Sequence, residues 1–291
     1  MNRMVSGMAD VVDRYDGFVF DIWGTIHDGG TIYPGVIDAL AGLRDAGKVI
    51  VFLSNSPRTP AVLEDRLDGL GLPAALRDGI VTSGGETRRR LSDPRDAELG
   101  GLNGPVWQTG PDRFPDTLPE DRFPTTGEIG EAAWVLNAGP NLPEDTLDVY
   151  DAALRAGAER GLPMVCANPD IRVMHGPAIH LCAGALAVRY ESYGGGVCWI
   201  GKPLPGVFEQ CLALPVLAGA ERVLVVGDNL ETDVLGATRA GLDSLLIAGG
   251  IHRLLDDDGS VRVAELERLE TGFGTSASLV ASRLVWSPGQ P

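Results

Sequence analysis

Short apolar runs alternate with stretches of helical periodicity along much of the chain. The first run covers residues 17–22, and the second covers residues 48–53. Between them, Pro34 can open a helix that extends to Ala46, where Gly47 follows as a stop signal. Strands that are covered by helices on both faces read as continuous apolar segments, so this pattern predicts βαβ units of a parallel sheet.

The alternation is interrupted in the middle of the chain. Residues 92–130 are rich in Pro, Gly, Asp and Thr and keep no sustained period, which is typical of loops. New elements are predicted after this stretch: strands at 132–137 and 164–167, and a helix at 143–160. We interpret the whole region as an inserted domain.

Strands and helices alternate again from residue 197 onward. The predicted strands are at 197–200, 222–226 and 244–248, and the predicted helices are at 205–214 and 232–240. One sheet would therefore be assembled from both ends of the chain. We predict an α/β fold in which residues 1–84 and 196–291 form a doubly wound, Rossmann-like parallel-sheet core and residues 85–195 form an α/β cap domain.

Composition and charge narrow the possible functions. The 291 residues include 24 Lys and Arg against 40 Asp and Glu, a net charge of −16, which argues against binding to nucleic acids or anionic membranes. Acidic residues interrupt the N-terminal segment, and no apolar run approaches the roughly 18 residues of a membrane span, so we expect a cytoplasmic protein. The four cysteines form no C-x-x-C pair and are expected to be reduced and mostly buried.

Polar residues stand where several predicted strands end. Asp21 ends the first strand, residues 54–56 (Ser-Asn-Ser) end the second, Lys202 follows a third, and Asp228 and Asp233 follow a fourth. Each alone has an ordinary interpretation as a turn residue or a surface charge. Together they predict one crevice that holds an acidic nucleophile, hydroxyl donors, a cation and a carboxylate pair suited to a hard metal.

At these positions the sequence resembles the haloacid dehalogenase superfamily, and specifically its class IIA phosphatases. Four segments carry the resemblance in order: residues 18–25, 52–56, 201–203 and 227–233. The insertion falls between the second and third segments, where class IIA members carry an α/β cap. The resemblance implies a Mg²⁺-dependent phosphatase or phosphotransferase that acts on a small phosphorylated metabolite.

The resemblance also implies a role for each matching residue. Asp21 would attack phosphorus to form an aspartyl-phosphate. Mg²⁺ would be held by Asp21, by Asp228 and by the main-chain carbonyl of Trp23, while Asp233 would support a metal-bound water. Lys202 would neutralise charge between nucleophile and phosphate. The predicted substrate-binding residues are Ser54, Asn55, Ser56, Asn168 and Asp170, of which the last two have an equally ordinary interpretation as loop residues.

The sequence departs from the phosphatase pattern at Trp23. Phosphatases of this superfamily normally carry a second Asp there, which protonates the leaving group and later activates water. An indole has no proton-transfer pKa near neutrality, so it cannot serve as a general acid or base. His27 could substitute as a proton carrier, or it could be a partly exposed loop histidine with no such role.

Three further questions stay open at this point. The chain could be a phosphate-ligand binding or regulatory protein with negligible turnover, because Trp23 removes the general acid. Dehalogenation is also possible, although those relatives use no Mg²⁺ and the Asp228 and Asp233 pattern is retained. A homodimer is suggested by the resemblance alone.

Overall fold

The computed structural model describes residues 3–175, 178–287 and 289. By its internal contacts the chain divides into two compact units. The first unit comprises Met1–Ser54, Glu64–Val81 and Lys202–Pro291, and the second comprises Asn55–Leu63 and Thr82–Gly201. No helix within the described ranges combines the length and the apolar character that spanning a lipid bilayer requires.

The N-terminal elements of the chain follow the predicted βαβ pattern. They are β1 (Gly17–Asp21), α1 (Val36–Asp45), β2 (Val49–Ser54), α2 (Pro60–Gly69) and β3 (Gly79–Thr82). All five residues of β1 are buried, as expected for a central strand of a covered sheet.

The second unit is built around a parallel four-stranded sheet of order β4-β5-β6-β9 and an antiparallel hairpin, β7-β8. Its elements are α3 (Ser83–Ser92), β4 (Val106–Thr109), β5 (Trp134–Asn137), α4 (Asp151–Glu159), β6 (Met164–Cys166), β7 (Arg172–His175), β8 (Ala178–Leu181), α5 (Ala183–Ser192) and β9 (Val197–Trp199). Gly176 and Pro177, between the hairpin strands, lie outside the described residues.

Helix α4 begins later than the predicted residue 143. The Leu142 N–H donates to Asp145 Oδ2 at 2.9 Å, so residues 142–145 form a turn. A single 3₁₀ turn at Leu147–Val149 follows, and the α-helix starts only at Asp151. Asp side chains that accept local backbone hydrogen bonds compete with helix formation, and this explains the difference.

The C-terminal elements complete the six-stranded sheet of order β12-β11-β10-β1-β2-β3. They are α6 (Pro205–Leu212), β10 (Val223–Gly227), α7 (Leu235–Arg239), β11 (Asp243–Ile247), α8 (Val263–Phe273) and β12 (Leu279–Ala281). Strand β1 pairs in parallel with both β10 and β2. The predicted α/β fold with a parallel-sheet core is confirmed. The strand predicted at 197–200 does not join this sheet, because β9 pairs with β6 in the sheet of the second unit.

Apolar packing fixes the centre of this sheet. Phe18, Phe20 and Phe52 are fully buried, and the rings of Phe20 and Phe52 meet edge to face with centroids 6.3 Å apart. Each such ring contributes about 1.5–3 kcal/mol through burial. The four cysteines are free and three of them are buried, as predicted.

Candidate active site

Three neighbouring strands bring their carboxyl ends to one edge of the six-stranded sheet. Asp21 is the last residue of β1, Ser54 is the last residue of β2, and Asp228 directly follows β10. All three residues are at least nine-tenths buried. Open α/β sheets bind ligands at the carboxyl ends of their parallel strands, so we expect the active site at this edge.

Lys202 lies at the centre of this cluster. Its Nζ donates to Asp21 Oδ1 at 2.5 Å and to Asp233 Oδ1 at 2.6 Å, and only 2% of the residue is exposed. Burial by itself lowers the pKa of Lys202, but the carboxylates of Asp21 and Asp233 more than offset this, so its pKa lies above the ordinary value. The ammonium group is therefore a fixed positive charge.

Hydrogen bonds orient each of the three carboxylates. Thr25 Oγ1 donates to Asp21 Oδ2 at 3.2 Å, the Ile251 N–H donates to Asp228 Oδ2 at 2.7 Å, and the Asn229 N–H donates to Asp233 Oδ2 at 3.1 Å. Burial raises the pKa of Asp228 well above its ordinary value, and the charges of Asp21 and Asp233 raise it further. A third negative charge at this site is therefore unfavourable unless a further cation balances it.

A divalent cation fits this arrangement of side chains. Carboxylate oxygens of Asp21, Asp228 and Asp233 lie within 4.8 Å of one another, and all three residues are buried. If all three carboxyl groups are ionised, they exceed the single ammonium of Lys202 by two negative charges, which a divalent cation would balance. Oxygen-only, carboxylate-rich donor sets are those that Mg²⁺ prefers in proteins.

Gly24 allows the loop after β1 to approach Asp228. Its φ is +89°, and a β-carbon at this position would lie 2.3 Å from Asp228 Oδ2. A residue with a side chain would therefore be strained and would also collide with the carboxylate. The main chain at Gly24 consequently packs directly beside Asp228, and the use of the Trp23 carbonyl as a metal ligand stays a prediction.

The Trp23 ring contacts two side chains of the first unit. Its centroid lies 5.2 Å from that of the His27 ring, which it meets edge to face. The Arg66 guanidinium lies 5.4 Å from the Trp23 ring centroid and donates to the Gly29 carbonyl at 2.9 Å. These contacts hold Trp23 in a defined loop.

The expectation that His27 is partly exposed is wrong. Only 1% of the residue is exposed, because the loop folds back over it. Its Nδ1 accepts the Gly29 N–H at 2.9 Å, which favours the neutral ring with the proton on Nε2. His27 thus shapes the loop after β1 and supports Trp23, and its use as a proton carrier stays a prediction.

The other predicted site residues belong to the second unit. Asn55 Nδ2 donates to Asp170 Oδ1 at 2.8 Å, and the Asp170 N–H donates to Asn168 Oδ1 at 2.9 Å. Ser56 Oγ accepts the Arg58 N–H at 3.3 Å, which is a local turn contact. The substrate-binding role of these residues stays a prediction.

Sequence reasoning missed His252. Its Nε2 accepts the Leu230 N–H at 3.0 Å, so it holds the backbone between Asp228 and Asp233. The available signal was its position just after β11, the strand next to β10, at the edge where the other site residues lie.

Comparisons with known proteins agree with this geometry. The haloacid dehalogenase-like hydrolase family matches residues 18–120, and a HAD-hydrolase-like family matches residues 199–266. A crystal structure of a haloacid dehalogenase-like hydrolase from Brucella suis is 32% identical, with a TM-score of 0.81 over 97% of this chain and 100% of that one. The chain belongs to the haloacid dehalogenase-like hydrolases.

Curated relatives extend the similarity of this haloacid dehalogenase-like hydrolase. Chronophin from Bos taurus is 30% identical over 86% of this chain and 86% of its own length. The 5′-nucleotidase YutF from Bacillus subtilis is 27% identical over 82% of this chain and 89% of its own length. The predicted membership in class IIA of the superfamily is confirmed by these relatives.

Proposed function

We propose that this hydrolase is a Mg²⁺-dependent phosphatase that acts on a small phosphorylated metabolite through an aspartyl-phosphate on Asp21. One observation carries the proposal: Lys202 Nζ binds Asp21 and Asp233 together inside a buried carboxylate cluster. A carboxylate nucleophile can approach an anionic phosphate only where fixed positive charge lies close by. Two relatives from Bacillus subtilis, a 5′-nucleotidase and a sugar-phosphatase, are named for small phosphorylated substrates, which supports the same class of substrate here.

The proposed reaction has two steps. An oxygen of Asp21 attacks phosphorus, the bond from phosphorus to the leaving oxygen breaks, and the phosphoryl group is transferred to the carboxylate. Water then attacks phosphorus, the bond to Asp21 breaks, and inorganic phosphate leaves. Lys202 and Thr25 each hold one oxygen of Asp21, so the carboxylate is oriented before the substrate arrives.

The remaining predicted residues would support these steps. Asp21, Asp228, the Trp23 carbonyl and, through a water, Asp233 would hold Mg²⁺. When bound, Mg²⁺ supplies positive charge that offsets the charge of the phosphoryl group. We also propose residues 85–195 as a cap domain that selects the substrate.

Trp23 defines the kind of ester that such a site would cleave. The indole of Trp23 cannot protonate a leaving oxygen. Esters whose leaving oxygen has a low pKa need no proton, so we propose that they are the preferred substrates. Trp23 also favours a second candidate, a protein that binds a phosphate ligand with negligible turnover.

The proposal is tested by phosphate release from a panel of esters with Mg²⁺ and with EDTA. We expect Mg²⁺-dependent release by the wild type, and background rates for Asp21→Asn, which removes the nucleophile and preserves size. Asp38→Asn makes the same change at an exposed position of α1 and should retain full activity. Turnover by Asp21→Asn in EDTA would contradict the mechanism, and phosphate binding without turnover would favour the second candidate.

A further inference from the structure

The side-chain amide of Asn55 is held at both ends. Its Nδ2 donates to Asp170 Oδ1 at 2.8 Å, and its Oδ1 accepts from Ser83 Oγ at 3.2 Å. Asn55 is 4% exposed and Ser83 is fully buried. Because both polar ends of the amide have protein partners, its orientation is determined by Asp170 and Ser83.

Asp170 is itself fixed by its backbone. Its N–H donates to Asn168 Oδ1 at 2.9 Å, and its carbonyl accepts the Gly184 N–H at the start of α5 at 3.0 Å. These two backbone hydrogen bonds stabilise the turn that carries Asp170, and the turn places its carboxylate against Asn55. A carboxylate would also be a poor direct ligand for an anionic phosphate, since like charges repel.

The same network lies against the residue that precedes Lys202. Gly201 has a φ of +133°, and a β-carbon there would lie 2.4 Å from Ser83 Oγ and 2.7 Å from Asn55 Oδ1. Asn55 directly follows Ser54 in the chain, just as Gly201 directly precedes Lys202. Two residues that adjoin predicted site residues, Asn55 next to Ser54 and Gly201 next to Lys202, are therefore part of or packed against one set of hydrogen bonds.

From these contacts we infer that Asp170 and Ser83 are positioning residues that hold the Asn55 side chain, and through it the main chain next to Ser54, rather than ligands of the substrate. This inference rests on the proposed phosphatase function. It reassigns Asp170, which the sequence placed among the substrate-binding residues. Its consequence is that Asp170 affects turnover through Asn55.

A double-mutant cycle tests whether Asp170 acts through Asn55. We would measure kcat and KM for p-nitrophenyl phosphate and for a sugar phosphate with Asn55→Ala, Asp170→Ala and the double variant at saturating Mg²⁺. Loss of a hydrogen bond to a charged group predicts a fall in kcat of about 10-fold or more for each single variant. The kcat of the double variant should be no lower than that of the less active single variant, and KM should change little.

Two matched variants control the cycle. Asp170→Asn keeps an oxygen that can accept from Asn55 Nδ2, so it should retain most of the activity. Asp112→Ala removes an exposed carboxylate of the same unit and should behave as wild type. A destabilised fold would not be rescued selectively by Asn at position 170.

The outcomes separate this inference from the proposed function. Additive losses, or an Asp170→Ala effect that is confined to the KM of one ester, would show that Asp170 touches the substrate and would overturn the inference. If the wild type hydrolyses no ester, the proposed function fails instead. The thermal unfolding midpoints of the same variants are then measured. Non-additive shifts of the midpoint would support the hydrogen-bond network of Asp170 and Asn55, and additive shifts would overturn it.

Discussion

Replacing His252 tests how the loop that carries the acidic residues is held. His252 Nε2 accepts the Leu230 N–H at 3.0 Å, and its ring packs against Phe273 of α8 with centroids 5.8 Å apart. His252→Leu keeps an apolar side chain of similar size but removes the acceptor. His252→Gln is the matched control, because its Oε1 can take the place of Nε2.

The size of the effect follows from the burial of the donor. Leu230 is fully buried, so its N–H has no ready replacement partner once the imidazole is gone. An unsatisfied buried donor costs about 1–3 kcal/mol. If the loop relaxes to satisfy this group, metal binding must restore the native loop, and the affinity for Mg²⁺ falls by about 5- to 150-fold.

The assay is isothermal titration calorimetry with Mg²⁺, which needs no turnover. We expect weaker binding by His252→Leu and near wild-type binding by His252→Gln. Wild-type affinity in His252→Leu would refute the reasoning, and so would an equal loss in both variants, since the acceptor would then be irrelevant.

The same contact predicts a pH dependence of stability. Burial lowers the pKa of His252 below its ordinary value near 6.5, and the charge of Asp233 only partly offsets this. The unfolded chain therefore takes up a proton at a higher pH than the folded protein does. The stability that depends on neutral His252 is fully present above a pH of about 6.5 and is lost as the pH falls through the pKa of His252 in the folded protein. The thermal midpoint of the wild type should consequently fall more between pH 7 and pH 5 than that of His252→Gln.

Two further substitutions probe the loop after β1. Trp23→Asp supplies a general acid, so activity on alkyl and sugar phosphates should rise relative to activity on p-nitrophenyl phosphate by up to about 10²–10⁴-fold. An unchanged ratio of the two rates would contradict the inference that Trp23 removes the general acid. Gly24→Ala places a β-carbon on the Asp228 carboxylate, so calorimetry should show weaker Mg²⁺ binding, whereas Gly47→Ala, at a position where nothing lies within 4 Å of a β-carbon, should not change it.

The sheet and the candidate site at its edge could be predicted because both depend on local sequence patterns. Strands β1, β2 and β10 are continuous apolar runs, and Asp21, Ser54 and Asp228 stand at or just after their ends. Parallel strands share one carboxyl edge, so this reasoning needs no knowledge of long-range contacts. It cannot show how each carboxylate is oriented, because the partners come from distant parts of the chain.

Other features were missed for different physical reasons. Helix α8 was overlooked although Leu266, Leu269 and Phe273 recur at helical spacing, so here a signal was present. Strand β12 is three residues long and the hairpin strands are four residues long, too short for a period to emerge. The contact between His252 and Leu230 spans 22 positions and depends on the order of β10 and β11 in the sheet.

The position of β1 between β2 and β10 has a consequence for the order of assembly during synthesis. Gly17 pairs with Val49 on one side and with Val223 on the other, so β1, which carries Asp21, lacks one neighbour until residues far along the chain have emerged. At ribosomal rates of about 5–20 residues per second, that interval lasts roughly 10–35 seconds. The second unit, which ends at Gly201, can complete its own sheet within it. A nascent chain therefore carries Asp21 for some time without Lys202, Asp228 or Asp233, and the proposed phosphoryl-transfer site cannot form before the last third of the protein is made.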